Sequence, residues 1–548
     1  MTPSNVNFKR QILVPILGAV FFFSLASFKN DFFEIAKQIE IFTEMYKQLN
    51  MNYVDETNPA HLMDNAIEGM LSDLDPYTTF WTEQEVERAK INSRGEFTGI
   101  GANVSTRADK LIILEPWKDY PADKAGLKAG DEIIQIDGTN ISDYNENAGE
   151  LLQGSAGTEV TVTYMRQGKQ NKATLKRAAV EIQAVPFFDM ATPDIGYVIL
   201  SKFNEKASRE TKEAIKQLKE RGAKKIILDL RGNPGGLLSE AVNVSNLFIE
   251  KDKLITSTQS TVEKFNKTYL TPRNAYDADI PLAVLINGRS ASASEIVSGS
   301  IQDYDRGVVI GARSFGKGLV QRPRELSYGT QVKITISRYY TPSGRCIQAL
   351  DYWNRDEDGN AVRTRKEDYK AFKTINSART VFDGGGVDPD IKLASAAYSP
   401  ITTSLLRENA IFDYATQYYY KHQYADLDKI QLTDADFNAF VAWIESRGFD
   451  FDTVTESAFA KAYLSAVNEE LDDDIATSYK GMMQAIQNAK KKDMRDKKAE
   501  IMSLLTDEIV KRYFYREGLY KYQLKYNPEI QAAIKVLNNP AEYRKILS

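Results

Sequence analysis

From about residue 185 to 395 the chain alternates short apolar runs with amphipathic ones, and this constrains its fold more than any other feature. IGYVIL (Ile195–Leu200) has the length and β-branched content of a strand, and Glu210–Arg221 has the polar–apolar spacing of a helix. KKIILDL (Lys224–Leu230) is a buried strand running into RGNPGG, and Leu237–Ile249 is a helix. PLAVLIN (Pro281–Asn287) is a further strand, followed by a helix that begins in a run of serines and alanines. GVVIGA (Gly307–Ala312) is the next strand. Strand–helix alternation of this kind predicts a largely parallel sheet with helices packed on it, hence an α/β core.

The flanks read differently. Residues 95–180 are short strands separated by turns. In GLKAGDEIIQIDG (Gly126–Gly138), Ala125 and Leu127 pack inward, Gly130-Asp131 turns, and Ile133, Ile134 and Ile136 form a strand closed by Asp137-Gly138. VTVTYMRQGK (Val160–Lys169) reads as one more strand. Residues 31–94 are helical. There Phe32, Ile35, Ile39, Phe42, Tyr46 and Leu49 form an apolar stripe, which fits packing on its own domain or pairing with a second copy. Residues 396–548 are helical and aromatic and carry no chemical motif, so they read as an accessory or packing domain. Within them KKKDMRDKK (Lys490–Lys498) reads as a solvated helix face.

Lys9 and Arg10 precede an apolar run from Ile12 to Phe28, giving residues 1–30 the form of a signal peptide or membrane anchor. The charge bias leaves the amino end in the cytoplasm and predicts export of the rest. A formal charge of −5, with no basic stripe, argues against nucleic acid as a partner. The single cysteine, Cys346, excludes an internal disulfide. With only His61 and His422 beside it, a zinc site is not expected. The chemistry open to this chain uses oxygen nucleophiles, lysine or carboxylates.

Two segments carry such groups. Strand Pro281–Asn287 delivers the chain to Ser290-Ala291-Ser292-Ala293-Ser294-Glu295, where a helix begins. The first N–H groups of a helix lack intrahelical acceptors and favour negative charge, so a serine hydroxyl there lies beside oxyanion donors. Ser292-x-x-Glu295 is also the pattern of a capping box, and the residues alone leave cap and nucleophile both open. The second segment is Ser314-Phe315-Gly316-Lys317-Gly318. Glycines on both sides let the backbone approach closely. Burial of a lysine there would lower its pKa and let the neutral amine accept a proton from serine. An ion-paired lysine is the alternative. A helical Ser-x-x-Lys pair of the penicillin-recognising kind is disfavoured by Gly316 and Gly318 and by the lack of a Lys-Thr-Gly. The glycines of RGNPGG offer either further oxyanion donors or a plain tight turn.

Together, DLRGNPGGLL (Asp229–Leu238), NGRSASASEIVSGSIQD (Asn287–Asp303), SFGKGLVQ (Ser314–Gln321), YYTPSGRCIQ (Tyr339–Gln348) and GGGVDPDI (Gly384–Ile391) resemble the C-terminal processing peptidases, or tail-specific proteases. The resemblance covers residues from about 31 to 395. It implies a crotonase-like α/β protease core (181–395) with an inserted PDZ domain (95–180), a helical N-terminal region (31–94) and a helical C-terminal domain (396–548). By position, Ser292 would be the nucleophile, Lys317 the general base and Gln321 the residue orienting the lysine. The N–H groups of Ala293 and of Gly235 or Gly236 would form the oxyanion hole. Gly99, Ile100, Gly101 and Ala102 match the PDZ carboxylate-binding loop, although Gly-Ile-Gly alone reads equally as a turn. The chain departs from the family pattern at Arg289, Ser300 and Ser314, and by a polar insertion at about 350–378 that reads as a surface loop.

The reading is an exported serine endopeptidase on the periplasmic side of the inner membrane, anchored or with a cleaved leader, that acts on proteins with accessible C-termini. It implies no cofactor and no metal, and a homodimer through the N-terminal helices is compatible with it. The alternatives are a non-catalytic PDZ adaptor that binds tails in the envelope and, more remotely, an acyl-CoA hydratase on the same core.

Overall fold

The computed structural model describes residues 32–144, 148–357, 359–393, 398–451 and 453–548, so the leader expected over 1–30 lies outside the described residues. Two compact units divide the chain, one ending at Phe80 and one running from Trp81 to Ser548. In the first, helix 32–52 meets helix Pro59–Ser72, and the Tyr46 hydroxyl donates to the Pro59 carbonyl at 2.8 Å. Phe32, Ile35, Ile39 and Leu49 of the apolar stripe remain exposed. No described helix is long and apolar enough to cross a membrane.

The second unit is built on a six-stranded sheet. Its order is Phe187–Thr192, Ile195–Ile199, Lys225–Asp229, Leu282–Ile286, Val308–Gly311 and Ile391–Lys392. The first pair is antiparallel and every other pair is parallel. Both faces are covered, so side chains of either parity are apolar. Ile226, Leu228, Leu282 and Val284 face helices Ala207–Glu220, Leu238–Ser245 and Ala293–Asp303. Ile227, Ala283, Leu285 and Ile310 face the last two helices of the chain, Pro528–Leu537 and Pro540–Leu547. The C-terminal region therefore supplies the second helical layer of the core, a role its composition did not announce.

A second, antiparallel sheet contains Lys267–Leu270, Leu254–Gln259, Gln331–Tyr340 and Leu319–Glu325. A third runs Ala102–Arg107, Lys110–Pro116, Glu132–Ile136, Glu159–Arg166 and Lys169–Lys176 around a core that includes Leu127, Ile133 and Val162. The strand expected over 160–169 ends at Arg166: Gln167 and Gly168 both take positive φ, 47° and 74°, and reverse the chain into a hairpin. The insertion at 350–378 is also more ordered than a surface loop. It forms two antiparallel pairs, Leu350–Arg355 with Ala361–Arg363 and Ala371–Lys373 with Thr380–Phe382. In the basic run, Lys490 is buried and ion-paired with Asp450 and Glu456, which corrects the expectation of a wholly solvated face.

Helix Ala293–Asp303 is buried along its whole length although half its residues are polar. Each polar side chain finds a partner inside, as the cost of burial demands. Ser298 donates to the Ser294 carbonyl at 2.8 Å, and Ser300 donates to the Ile255 carbonyl at 3.0 Å. Asp303 pairs at 2.8 Å with Arg345, and both are fully buried. Arg345 also donates to Gln302 Oε1 at 2.7 Å, and the Ser343 N–H donates to Asp303 Oδ2 at 2.9 Å. The Thr-Pro-Ser-Gly-Arg turn thus holds the helix by its C-terminal end, where a cation suits the dipole. Removing one member of such a pair strands the other, so Arg345→Ala should lower stability by about 3–5 kcal/mol in urea unfolding. A loss below about 1 kcal/mol would assign the anchoring elsewhere.

Candidate active site

Three serines open helix Ala293–Asp303, and the structure separates their roles. Ser290 is fully buried: its hydroxyl donates to the Leu230 carbonyl at 2.8 Å and accepts from the Asn287 N–H at 2.9 Å. Ser294 is also buried and donates to the Asn233 carbonyl at 2.9 Å. These outer serines lock the turn onto the loop that follows strand Lys225–Asp229. Ser292, between them, is half-buried and has φ 54° and ψ −111°, a conformation costly for a residue with a Cβ. Ser292 and Glu295 do stand in the relation of a capping box, but the close bonds use the serine backbone. The Ser292 N–H donates to Glu295 Oε2 at 2.8 Å, and the Ser292 carbonyl accepts from the N–H groups of Glu295 at 2.8 Å and Ile296 at 2.9 Å.

Glu295 is the centre of the arrangement, and sequence reasoning saw it only as a cap. Its carboxylate is completely buried and accepts four hydrogen bonds. Oε1 receives the Ser314 hydroxyl at 2.6 Å and the Gly316 N–H at 2.7 Å. Oε2 receives the N–H groups of Ser292 at 2.8 Å and Lys317 at 2.9 Å. One oxygen atom therefore fixes the backbone of Ser292 and that of Lys317 on either side of itself. Burial pushes this carboxyl up to about 6, against the opposing pull of the same four bonds. Ser314 is half-way along a relay, since its oxygen also accepts from the Val387 N–H at 2.6 Å. Ser314 and Ser300 are departures from the family pattern, and both hydroxyls are engaged. Tyr339, buried beside the site, donates to the Ser292 carbonyl at 3.3 Å.

The other expected site residues fall as follows. The Ala293 N–H has no acceptor among the described residues. Gly235 has φ 97°, and a Cβ there would lie 2.9 Å from the Ala293 nitrogen, so the glycine keeps the space beside that donor open. The Gly235 N–H is already given to Asn233 Oδ1 at 2.8 Å. The Gly236 N–H has no acceptor among the described residues, which makes it the glycine donor left over. Gln321 donates to Thr335 Oγ1 at 3.1 Å on the neighbouring strand. Arg231, at the head of the glycine loop, is buried and bonded to Asp229, and also to Asn527 at 2.9 Å and to Glu529 at the start of helix Pro528–Leu537. The C-terminal helices thus steady the glycine loop as well as the sheet.

The expected carboxylate loop lies at the start of the third sheet. Gly101 takes φ 70°, Ile100 is buried, and the N–H groups of Ile100 and Gly101 have no acceptor among the described residues. The Ile100 and Gly101 carbonyls accept from Ala122 at 2.8 Å and Trp117 at 2.9 Å, which fixes the loop with those donors unspent.

Comparison with known proteins agrees with this anatomy. Residues 194–352 match peptidase family S41, residues 98–176 match the PDZ domain, and residues 401–537 match the C-terminal helical domain of probable PDZ-proteases. A "Probable CtpA-like serine protease" of Staphylococcus aureus (strain MRSA252) is 31% identical over 398 residues, 72% of this chain and 78% of the relative. The chain is a carboxy-terminal-processing S41 peptidase. A "Carboxy-terminal-processing protease" of Bartonella bacilliformis is 36% identical to this peptidase over 326 residues, 57% of this chain and 73% of the relative. Among solved structures, the photosystem II D1 C-terminal processing protease aligns with 64% of the peptidase and 92% of its own chain, at 27% identity and a TM-score of 0.36. The peptidase is thus a serine-type protease with a PDZ domain and a helical C-terminal domain, and the adaptor and hydratase alternatives fall away.

Linkage with pH follows from the direction of the Glu295 shift. Its folded-state value lies above the ordinary 4.5, so folding favours the protonated carboxyl. That stabilisation is fully present below about 4.5 and is lost as pH rises through about 6. The ionised form, with two oxygens that only accept, is the one that satisfies all four donors. Peptidase activity should therefore rise as pH climbs through about 6. Ser314→Ala removes one bond that holds the carboxyl down, and should move this limb upward by about one to two pH units. An unmoved limb in a pH–rate profile would mean that another group titrates there.

Proposed function

We propose that this peptidase cleaves exported proteins near their C-termini through a serine–lysine dyad of Ser292 and Lys317. The observation that carries the reading is the Glu295 carboxylate, whose Oε2 holds the backbone of both residues. In the reaction the Lys317 amine, uncharged, takes the Ser292 hydroxyl proton as Oγ attacks the substrate carbonyl carbon. The oxyanion that forms is met by the N–H groups of Ala293 and Gly236, the two donors near the nucleophile left without acceptors. Collapse breaks the peptide C–N bond, and the lysine ammonium gives its proton to the leaving amine. Water, deprotonated by the same amine, then hydrolyses the Ser292 ester and frees the enzyme with a new carboxylic acid. The strained backbone of Ser292 supports this role, since a residue held at φ 54° needs the surrounding bonds to keep it there. Gln321 keeps its place as a residue orienting the lysine, on strand Leu319–Glu325 just after Lys317 and steadied by its bond to Thr335 on the neighbouring strand.

Tail selection by the PDZ domain completes the proposal. The free N–H groups of Ile100 and Gly101 suit a terminal carboxylate, while strand Ala102–Arg107 offers an edge to which an extended tail can add. Export to the periplasmic side of the inner membrane is supported by the charged and apolar leader at residues 1–30. Self-association through the N-terminal helices is supported by the exposed stripe of Phe32, Ile35, Ile39 and Leu49.

One labelling experiment tests the set. A fluorophosphonate probe should modify the wild-type protein at Ser292, and Lys317→Ala should slow labelling and peptide hydrolysis by about 10⁴-fold or more. A membrane-impermeant form of the probe should label spheroplasts as fully as lysed cells. Full activity in Lys317→Ala would end the dyad assignment, and labelling only after lysis would end the export assignment.

A further inference from the structure

The groove beside the carboxylate loop has two walls, and only one belongs to the PDZ domain. The cavity holds about 720 Å³, within the range of ligand sites. Phe97, Ile100, Gly101 and Leu152 line it from the PDZ side. Leu406, Phe412, Lys511 and Arg516 line it from the helical domain, more than 250 residues further along the chain. We propose that tail recognition is a composite of both walls, with Leu406, Phe412 and Lys511 reading residues upstream of the tail's end. This rests on the tail-binding reading given above and deepens it.

The helical wall is built into place. Asp413 pairs with Arg107 at 2.8 Å, Tyr515 donates to Asp123 at 2.7 Å, and Arg516 donates through Nε to Glu115 at 3.1 Å. Helix Lys498–Tyr526 breaks at Tyr515, which takes φ 57° and ψ −169° where it meets the PDZ domain. A non-glycine residue at positive φ inside a helix persists only where its surroundings over-determine it. Phe412 is held between two guanidiniums, with Arg107 at 5.2 Å and Arg512 at 4.6 Å from its ring centre.

The chemistry of the walls indicates what they take. Apolar side chains stand on both, and Leu406 is 37% exposed, so it is available to a ligand. The charged side chains that line the groove, Glu115, Glu508, Lys511 and Arg516, are two of each sign, with Lys511 paired to Glu508 and Arg516 to Glu115. The place for an anionic end is set by the unspent N–H groups of Ile100 and Gly101, which suit a carboxylate. The occupant is a single extended polypeptide end with an apolar last side chain and a second apolar side chain upstream. A folded C-terminus would not enter between two walls.

The test uses the full chain with Ser292→Ala, so that nothing is cleaved, and fluorescence anisotropy. The probes are a labelled short peptide with leucine at its last and fourth-last positions, its C-terminal amide, and a version with glycine at the upstream position. The parent protein should bind the free acid about tenfold or more tighter than the amide. Leu406→Asp should weaken the leucine peptide about fivefold or more, and should leave the glycine peptide unchanged. Lys511→Met should weaken both free-acid peptides about threefold or more. The two substitutions lie on different helices, so if melting shows that one fails to fold, the other decides. Discrimination of acid from amide with unaltered binding in both variants overturns the composite site and leaves the PDZ reading standing. A parent protein that treats acid and amide alike overturns the tail-binding reading, and the composite site with it.

Discussion

A completely buried carboxylate that accepts four hydrogen bonds holds this site together. Glu295 sits at the first turn of the nucleophile helix and gathers donors from two separate segments, Ser292 on one side and Ser314, Gly316 and Lys317 on the other. Buried charge is expensive, and its retention needs hydrogen bonds to every available lone pair. Here three of those bonds come from the backbone of Ser292, Gly316 and Lys317, and the fourth from the Ser314 hydroxyl. The bonds that favour the charged carboxylate therefore also set the spacing of the Ser292 and Lys317 backbones, which joins electrostatics to geometry in one group.

The rest of the second unit braces this point. Arg345 and Asp303 fix the far end of the nucleophile helix, and Ser290 and Ser294 fix its near end to the glycine loop. Arg231 ties that loop to Asn527 and Glu529, just past the long helix that also reaches the PDZ domain through Tyr515 and Arg516. A continuous set of bonded elements thus runs from the PDZ groove, through the helical domain, to the glycine loop beside Ser292. Each link is a contact of ordinary strength.

Much of this was legible in the sequence, and the reasons differ by region. The parallel strands were plain because burial on both faces makes them unbroken apolar runs, as in Lys225–Asp229 and Leu282–Ile286. Ser292 and Lys317 stood out because glycine and small residues surround them at strand ends. Glu295 was legible only as a cap, which it is, because its second set of bonds comes from a partner segment about twenty residues on that the local pattern does not reveal. Gly235 and Gly236 could not be separated because the choice depends on the Asn233 side chain. The helical wall of the groove was invisible, since Leu406, Phe412 and Lys511 form no motif and meet the PDZ domain only through tertiary packing.

The most direct measurement is amide hydrogen exchange at Ser292, Gly316 and Lys317 in the wild type and in Glu295→Gln. A glutamine offers one accepting oxygen and turns its NH2 either toward the Ser292 and Lys317 N–H groups or toward the Gly316 N–H and the Ser314 hydroxyl, so at least one N–H bond must break. The account predicts slow exchange at all three amides in the wild type. In the variant it predicts faster exchange either at Gly316 or at Ser292 and Lys317, and retained protection along the helix from Ile296 to Asp303. Unchanged protection at all three amides, Ser292, Gly316 and Lys317, in Glu295→Gln would contradict it.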